Sequence, residues 1–545
     1  MIQLDNVTKF YGERLIFRDV TFKIVDGEKV GIVGKNGAGK STLVKIMTGA
    51  ENFDSGTIFG LRAEDIGFVE QTPKFFAETL LDEMLLVGVE KFQARKILYG
   101  LGFTESDLEK NPNHFSGGEG AKISLAKALL HEPRILILDE PTNHLDIYSI
   151  EFLEDFVKNY RGTVIAVTHD RHFLQNCVEK ILDMENFRAR LYPGNYEKFV
   201  RLKREKREAE LKAYEKQQEE IAKLEEFVRR NKAGVKAKQA RGRQTLLDRM
   251  QRLEKPPSTE KSSINLGDAS ESANRVLIVE KIFFKDVIKN FGAEIFKGEK
   301  VGLIGRNGVG KSTLLKIIVG ELKADSGEIK IGNRVKIGYL SQGHEELNEN
   351  FTPLEELNNE FGLTEGRARS ELAKLNLFAQ VVEKPISDLS GGEKTRVALT
   401  KLILTGANFL ILDEPTNHLD LPAREAIEDA LKNFDGTILI VTHDRYLLDK
   451  VATRIIEFAA ATEKKISPPK TKTAVEKKSS APKPNEQAIA KVEAQIKMAE
   501  MELKMIEHEI NRASLPEKLT ELAAAHAEKI AQIDGLYLRW EELQC

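Results

Sequence analysis

The stretch GKNGAGKST at Gly34–Thr42 recurs as GRNGVGKST at Gly305–Thr313, an offset of 271 residues (34 to 305). A repeat this faithful in its glycines and lysines constrains the fold more than any other feature, because the motifs after it recur in the same order. GFVEQ ending at Gln71 returns as GYLSQ ending at Gln342. FSGGE from Phe115 returns as LSGGE from Leu389, now at an offset of 274 (115 to 389), so the second copy carries three more residues in between. ILILDEPTNHLD ending at Asp146 and FLILDEPTNHLD ending at Asp420 keep the longer spacing, as do the VTHDR segments around His169 and His443. Two homologous domains therefore share one chain of 545 residues, a length that accommodates about three or four domains. In each copy short β-rich runs (KVGIVG, RILILDE, TVIAVTH) alternate with helical segments. That alternation predicts α/β domains, each a doubly wound, mostly parallel sheet flanked by helices.

The remaining chain divides by composition. The first domain is read over 1–198 and the second over 275–461, with a helical linker at 199–256 and a connector at 257–274. Residues 199–256 are almost all long polar side chains, with Tyr214, Ile221, Leu224 and Val228 as one sparse apolar stripe and Leu246, Met250 and Leu253 as another. Two antiparallel helices joined by a tip are expected. From Arg229 to Arg243 the tip holds seven basic residues and no acid, although the whole chain has a net charge of −3. Residues 462–487 are mostly Lys, Pro, Ser, Thr and Ala, the composition of a disordered tether. Beyond it Ile489, Val492, Ile496, Ala499, Leu503, Ile506 and Ile510 alternate spacings of three and four. Ser514, Pro516 and Glu517 then fit a capping box, and Leu519, Leu522, His526, Ile530, Ile533, Tyr537 and Trp540 line a return helix. A coiled-coil hairpin is expected over 488–545.

Composition excludes other classes. With 41% hydrophobic and 31% charged residues, collagen-like and wholly disordered chains drop out. No run of eighteen apolar residues occurs, the start carries acids and no apolar h-region, and Cys177 and Cys545 form no CxxC. A cytoplasmic protein with no membrane span, disulfide framework or zinc site is expected.

The chemistry concentrates in the repeats. G-x-x-x-x-G-K-S after an apolar strand and before a helix turns successive backbone N–H groups toward phosphate oxygens. Gly34, Asn36, Gly37, Gly39, Lys40, Ser41 and Thr42 form one such loop, and Gly305, Asn307, Gly308, Gly310, Lys311, Ser312 and Thr313 the other. Lys40 and Lys311 supply positive charge to the β and γ phosphates, while Ser41 and Ser312 offer a hydroxyl to Mg²⁺. Asp139 and Asp413, at the ends of buried strands, would orient the Mg²⁺ shell, and Gln71 and Gln342 would sense metal and water. Glu140 and Glu414 are placed to polarise an attacking water, with His169 and His443 reaching the γ phosphate. The bland alternative for the glutamates is a salt bridge closing a strand end. His169 and His172, at i and i+3, admit a metal pair, but the second copy has Tyr446 in place of His172.

Phosphate loop, glutamine, Ser-Gly-Gly signature, Asp-Glu pair and His, in that order, resemble the ATP-binding cassette ATPases. PTNHLD in both copies, tandem cassettes and a charged helical linker narrow the resemblance to the ABC-F family, the translation factors and ribosome-protection proteins. The resemblance implies that the cassettes close face to face within one monomeric chain around two ATP. One site then pairs Gly34–Thr42 with Ser390, Gly391, Gly392 and Glu393, and the other pairs Gly305–Thr313 with Ser116, Gly117, Gly118 and Glu119. It also places Tyr11 where the family stacks an aromatic ring on adenine; the same register in the second copy falls on Ile282, beside Phe283 and Phe284. The first signature reads FSGGEGAK where the second reads LSGGEKTR, so Gly120 and Ala121 predict unequal ATP sites.

For partners, the family likeness implies the ribosome: the linker enters the tRNA exit site and meets peptidyl-tRNA and ribosomal RNA. Arg229, Arg230, Lys232, Lys236, Lys238, Arg241 and Arg243 are the candidate RNA phosphate contacts. The C-terminal hairpin is read either as a packing or partner-binding coiled coil or as a DNA or RNA contact. Two other functions compete: a DNA-acting structural or repair ATPase using that hairpin, and the ATP-hydrolysing subunit of a transporter with separate membrane chains.

Overall fold

The computed structural model describes residues 1–458 apart from 70–74, 144, 232–235, 251, 254, 256–265, 267–269, 286, 376 and 418, together with eight further positions between 495 and 539. Gln71, Lys232, the expected tether and most of the expected C-terminal hairpin lie outside the described residues.

Each repeat folds around a central sheet. In the first, the strands run in the order Ile66–Phe68, Ile135–Asp139, Thr163–Val167, Lys29–Gly34, Lys180–Glu185 and Arg188–Pro193. All neighbours are parallel except the last pair. In the second, Ile337–Leu340, Phe409–Asp413, Thr437–Val441, Lys300–Ile304 and Arg454–Glu457 repeat the order in an all-parallel sheet. Continuous apolar runs suit these strands because both faces are covered. Leu136 and Leu138 point into a helical layer, while Ile135 and Ile137 point the other way onto the helix Lys40–Met47 and a second sheet. Leu410 and Leu412 oppose Phe409 and Ile411 in the same manner in the second domain. The second sheet is antiparallel in each domain, with Ile2–Tyr11 between Arg14–Ile24 and Ser55–Phe59, and Arg275–Phe284 between Ile288–Phe296 and Ser326–Ile331.

The linker is a helical hairpin. Its first helix, Tyr196–Arg230, is capped by the Asn195 side chain, which accepts from the Lys198 N–H. The return helix is Ala237–Arg249. Ile221, Val228 and Leu247 are buried between them, with Leu224 and Met250 packed alongside. This corrects the expected second stripe: Leu246 and Leu253 are 51% and 45% exposed. Leu247 instead shares a helix face with the buried Ala240, seven residues earlier, and Leu253 lies beyond the helix end.

The two domains meet through reciprocal charge pairs. Arg171 Nη1 lies 3.0 Å from Glu428 Oε2, and Arg445 pairs with Glu154. Each pair is the other's counterpart at the offset of 274 (171 to 445, 154 to 428), so the interface has the pseudo-twofold symmetry of the repeat. Arg171 also lies over the Tyr446 ring, 4.7 Å from its centroid, and His172 meets that ring edge-on. His172 therefore packs across the interface and points its Nε2 toward Asp449 at 3.8 Å.

Candidate ATP sites between the domains

Sheet register gathers the motifs. Ile32 and Asp139 both pair with Val167, so the phosphate loop, the Asp-Glu pair and the Thr-His segment leave the same edge of the sheet, the carboxyl edge where ligands bind in such folds. Leu303 and Asp413 share Val441 in the second domain. Gly39 and Gly310 precede the helices with φ of 90° and 100°. A side chain is disfavoured in that left-handed region, and at Gly39 a Cβ would also lie 2.7 Å from Ile16. Lys40 curls back, donating to the Gly34 carbonyl at 2.9 Å and to the Lys35 carbonyl at 3.1 Å. Lys311 does the same with Gly305 at 2.7 Å and Arg306 at 2.8 Å. Burial lowers the pKa of both ammonium groups, against the pull of the nearby carboxylates.

Ser41 stands beside Asp139, and Ser312 beside Asp413, near enough for each hydroxyl to act on the carboxylate. Burial raises both aspartates while these hydroxyls and the loop lysines oppose the rise. Asp413 Oδ1 is buried without a hydrogen-bond partner. No group of three His, Cys, Asp or Glu side chains that would cage a metal exists among the described residues. One carboxylate and one hydroxyl at the mouth of a phosphate loop fit Mg²⁺, which takes few protein oxygens beside phosphate and water. Gln342 lies exposed in the turn after Ile337–Leu340, the strand beside Phe409–Asp413.

Glu140 and Glu414 adopt φ of 47° and 51°, a backbone strain of the kind found at functional sites. Their N–H groups still complete the sheet, donating to the Val167 and Val441 carbonyls at 2.8 Å. Burial pushes the Glu140 carboxyl up to about 7, against the Arg424 charge. Burial and the neighbouring Asp413 push Glu414 to about 8. His169 Nε2 lies 3.6 Å from Glu140, and His443 Nε2 lies 3.7 Å from Glu414. Burial, then the loop lysines, lower both imidazoles to about 3, so they are neutral. Both ring nitrogens of His169 are buried without a hydrogen-bond partner.

The signatures begin helices. Ser116 and Glu119 form a capping box at the start of Gly117–Leu130, and Ser390 and Glu393 do so at Gly391–Leu404. In both, the serine hydroxyl donates to the glutamate at 2.7 Å. Helix N-termini of this kind favour anions.

Sequence reading passed over the residues that join the two domains here. Asp420 Oδ2 accepts from the Asn36 N–H at 3.3 Å, and Asp146 Oδ2 accepts from the Asn307 N–H at 3.1 Å. Each aspartate also caps its own helix, Asp146 through Ser149 and Asp420 through Ala423. The available signal was their place at the end of the duplicated PTNHLD. Lys122 was also missed: it is buried, donates to the Leu101 carbonyl at 3.3 Å, and its charge acts on Asp146, Lys311 and His443. The first signature helix thus places a positive charge within electrostatic range of the second phosphate loop.

One expectation is corrected. Tyr11 is 45% exposed at its strand end, its hydroxyl 3.3 Å from Glu51 and its ring 4.9 Å from Lys9 Nζ. Ile282 is not its counterpart. Thr8 pairs with Ser55 where Phe283 pairs with Ser326, an offset of 275 on this strand (8 to 283). Ile282 therefore matches the buried Val7, and both are core residues. The returning strands keep 271, Ile24 to Ile295, so the second hairpin is four residues shorter (275 against 271). The position in register with Tyr11 is 286, outside the described residues.

Comparison with known proteins agrees with this architecture. The ABC transporter family model matches residues 17–143 and 288–417, and a second ABC transporter model matches 182–266. YdiF of Bacillus subtilis (strain 168) is 36% identical over 85% of this chain and 80% of its own length. ABC transporter F family member 5 of Arabidopsis thaliana is 33% identical over 84% and 74%, and ATP-binding protein Uup of Escherichia coli (strain K12) is 32% identical over 83% and 79%. The solved structure of RNase-L Inhibitor shares the fold at a TM-score of 0.58 and 22% identity, over 83% of this chain and 87% of that one. Among the described residues no helix is long and apolar enough to cross a membrane. With duplicated phosphate loops, signatures and Asp-Glu strands in one chain and relatives of this kind along most of its length, the protein belongs to the ABC-F family of tandem ATP-binding cassette ATPases.

Proposed function

We propose that the chain is an ATP-gated clamp on the ribosome, closing its cassettes over two ATP and releasing on hydrolysis. The observation that carries this reading is the reciprocal pair Asp420 to Asn36 and Asp146 to Asn307. Each cassette touches the other's phosphate loop within one chain, so occupancy of one loop is felt by both. In each site the loop amides and Lys40 or Lys311 hold the phosphates, and Tyr11 supports the base at the first. Ser41 with Asp139, and Ser312 with Asp413, would hold Mg²⁺, with Gln71 and Gln342 as its further partners; the ion would supply charge neutralisation to the phosphates. Glu140 and Glu414 orient water and accept its proton, a role suited to carboxyls whose pKa lies near neutrality. Neutral His169 and His443 offer a ring N–H to the γ phosphate. The signature helices of Ser116–Glu119 and Ser390–Glu393 present N–H groups to the phosphate from the opposite cassette, so loss of the γ phosphate weakens closure.

The ribosome as partner rests on family membership and on the linker tip. Arg229, Arg230, Lys236, Lys238, Arg241 and Arg243 are exposed there. Arg230 pairs with Glu226, and Arg243 stacks on Phe227 at 3.6 Å; both remain on the surface. Among proteins sharing the fold, one solved structure is of an archaeal ribosome recycling factor and another of ribosome-bound archaeal Pelota and ABCE1.

The test is sedimentation of the Glu140→Gln, Glu414→Gln protein through a sucrose gradient with cell lysate and ATP. Hydrolysis falls by roughly 10²- to 10⁴-fold while ATP binding persists, and the protein comigrates with ribosomes only when ATP is present. ATP binding without comigration would overturn the ribosomal reading and turn attention to DNA.

A further inference from the structure

The two ATP sites differ in a residue that neither signature contains. Arg424 stands in the second cassette, four residues after Asp420, on the helix Leu421–Asn433. It is 9% exposed. Its Nη1 crosses the interface and donates to the His169 carbonyl at 3.2 Å. Its Nε donates to the Leu419 carbonyl at 3.0 Å, next to the aspartate that meets Asn36. Its Nη1 also lies 3.8 Å from Asp444, the residue after His443. One guanidinium thus ties the His169 turn of the first site to the loop that covers that site's phosphate loop, and touches the segment beside the second site's histidine.

The repeat offers no equivalent. At the offset of 274 the matching residue is Ile150, 2% exposed within the first cassette's core. An isoleucine has no donor for the His443 carbonyl. At the second site the intruding cation is Lys122, from a different element, and it donates to the Leu101 carbonyl of its own cassette.

We propose that Arg424 is a trans-acting positioning residue for the first site: it fixes the His169 turn relative to the second cassette's Asp420 loop and makes the two sites unequal in hydrolysis. This rests on the reading of both sites as ATPase sites. A planar guanidinium with several directed N–H groups bridges three fixed acceptors, which a lysine ammonium on a flexible stem does less well. His169 has no hydrogen-bond partner on its ring, so its orientation depends on how its backbone is held. Removing a charged donor from a buried carbonyl displaces that backbone, while the phosphate loop, with its own lysine and amides, is untouched.

The experiment separates the sites. Glu414→Gln leaves only the first site competent, and Glu140→Gln only the second; their turnover shows whether each site hydrolyses ATP at all, independently of Arg424. Arg424→Gln is then added to each. The expected result is a kcat at the first site lowered by roughly tenfold relative to the second, with the KM for ATP at the first site within about twofold, and partial recovery in Arg424→Lys. If both single-site proteins are inert because the sites fire together, vanadate trapping of 8-azido-ATP followed by cleavage in the linker reads the label on each cassette. The trapped label then shifts from the first cassette toward the second in Arg424→Gln. Equal losses at both sites, a change in KM alone, or no change in label distribution overturns the proposal.

Discussion

Two glutamates carry the sharpest consequence of burial at the residue scale. Glu140 and Glu414 are held up to about 7 and about 8 from an ordinary 4.5. Below pH 4.5 each is protonated in the folded and unfolded chain alike and contributes nothing. As pH rises, the unfolded chain releases its protons first, so stability falls until the native pKa is passed and then levels off. In the nucleotide-free protein, the Glu140→Gln, Glu414→Gln pair removes that loss. Its melting temperature is expected to exceed the wild type's at pH 8.5, with a gain on the order of a few kcal/mol, and the gain should shrink to nothing near pH 4. Calorimetry at the two pH values checks it; a gain that is the same at both would mean the carboxyls are ionised in the native protein. The positions of these residues were legible because they stand in repeated strings. Arg424 was not, because its meaning depends on His169 of the other cassette, 255 residues away in the chain, and no local pattern encodes that contact.

Elements were read well where one periodicity governed them. The parallel strands announce themselves as continuous apolar runs covered on both faces, whereas their order in the sheet is not written in those runs and comes from the structure. Registers set by turns were read less well. A hairpin four residues shorter in the second copy moves Ile282 from a ligand position into the core, a shift that motif offsets cannot detect. The linker shows the same limit: a stripe of few apolar residues among charges leaves the buried face undecided, and Leu247 takes the place expected for Leu246. Its basic tip, by contrast, depends on composition alone. Replacing Arg229, Lys236, Lys238 and Arg241 with glutamine is expected to weaken ribosome association uniformly and to flatten its dependence on salt, because phosphate contacts act through counterion release. Binding measured from 50 to 200 mM salt checks this. An unchanged slope would make the tip a solvated loop.

For the whole molecule, the proposed closure brings together charges that pair across the two cassettes. Glu428 is fully buried, bonded to Arg171 of the other cassette at 3.0 Å and to Lys450 of its own at 3.2 Å. When the cassettes part, Arg171 reaches water, while Lys450 keeps Asp429 at 2.7 Å. Glu428→Gln therefore changes the open form little, but in the closed form it leaves Arg171 buried beside an uncharged amide. An unpaired buried charge costs about 3–5 kcal/mol, so the closing equilibrium is expected to move toward open by roughly 10²- to 10⁴-fold. Fluorescence transfer between dyes on the two cassettes, titrated with ATP, reads that shift as a higher ATP requirement for closure. Replacing both partners, Arg171→Met with Glu428→Leu, removes the orphaned charge and is expected to recover closure, since a buried ion pair and a packed apolar pair are often close in free energy. A double variant as open as Glu428→Gln would show that Glu428 acts by shape or through Lys450 rather than by pairing with Arg171. Recovery would establish that this reciprocal pair sets the cassettes' register without adding net affinity, leaving the energy for the proposed closure to the other contacts across the interface and to bound ATP.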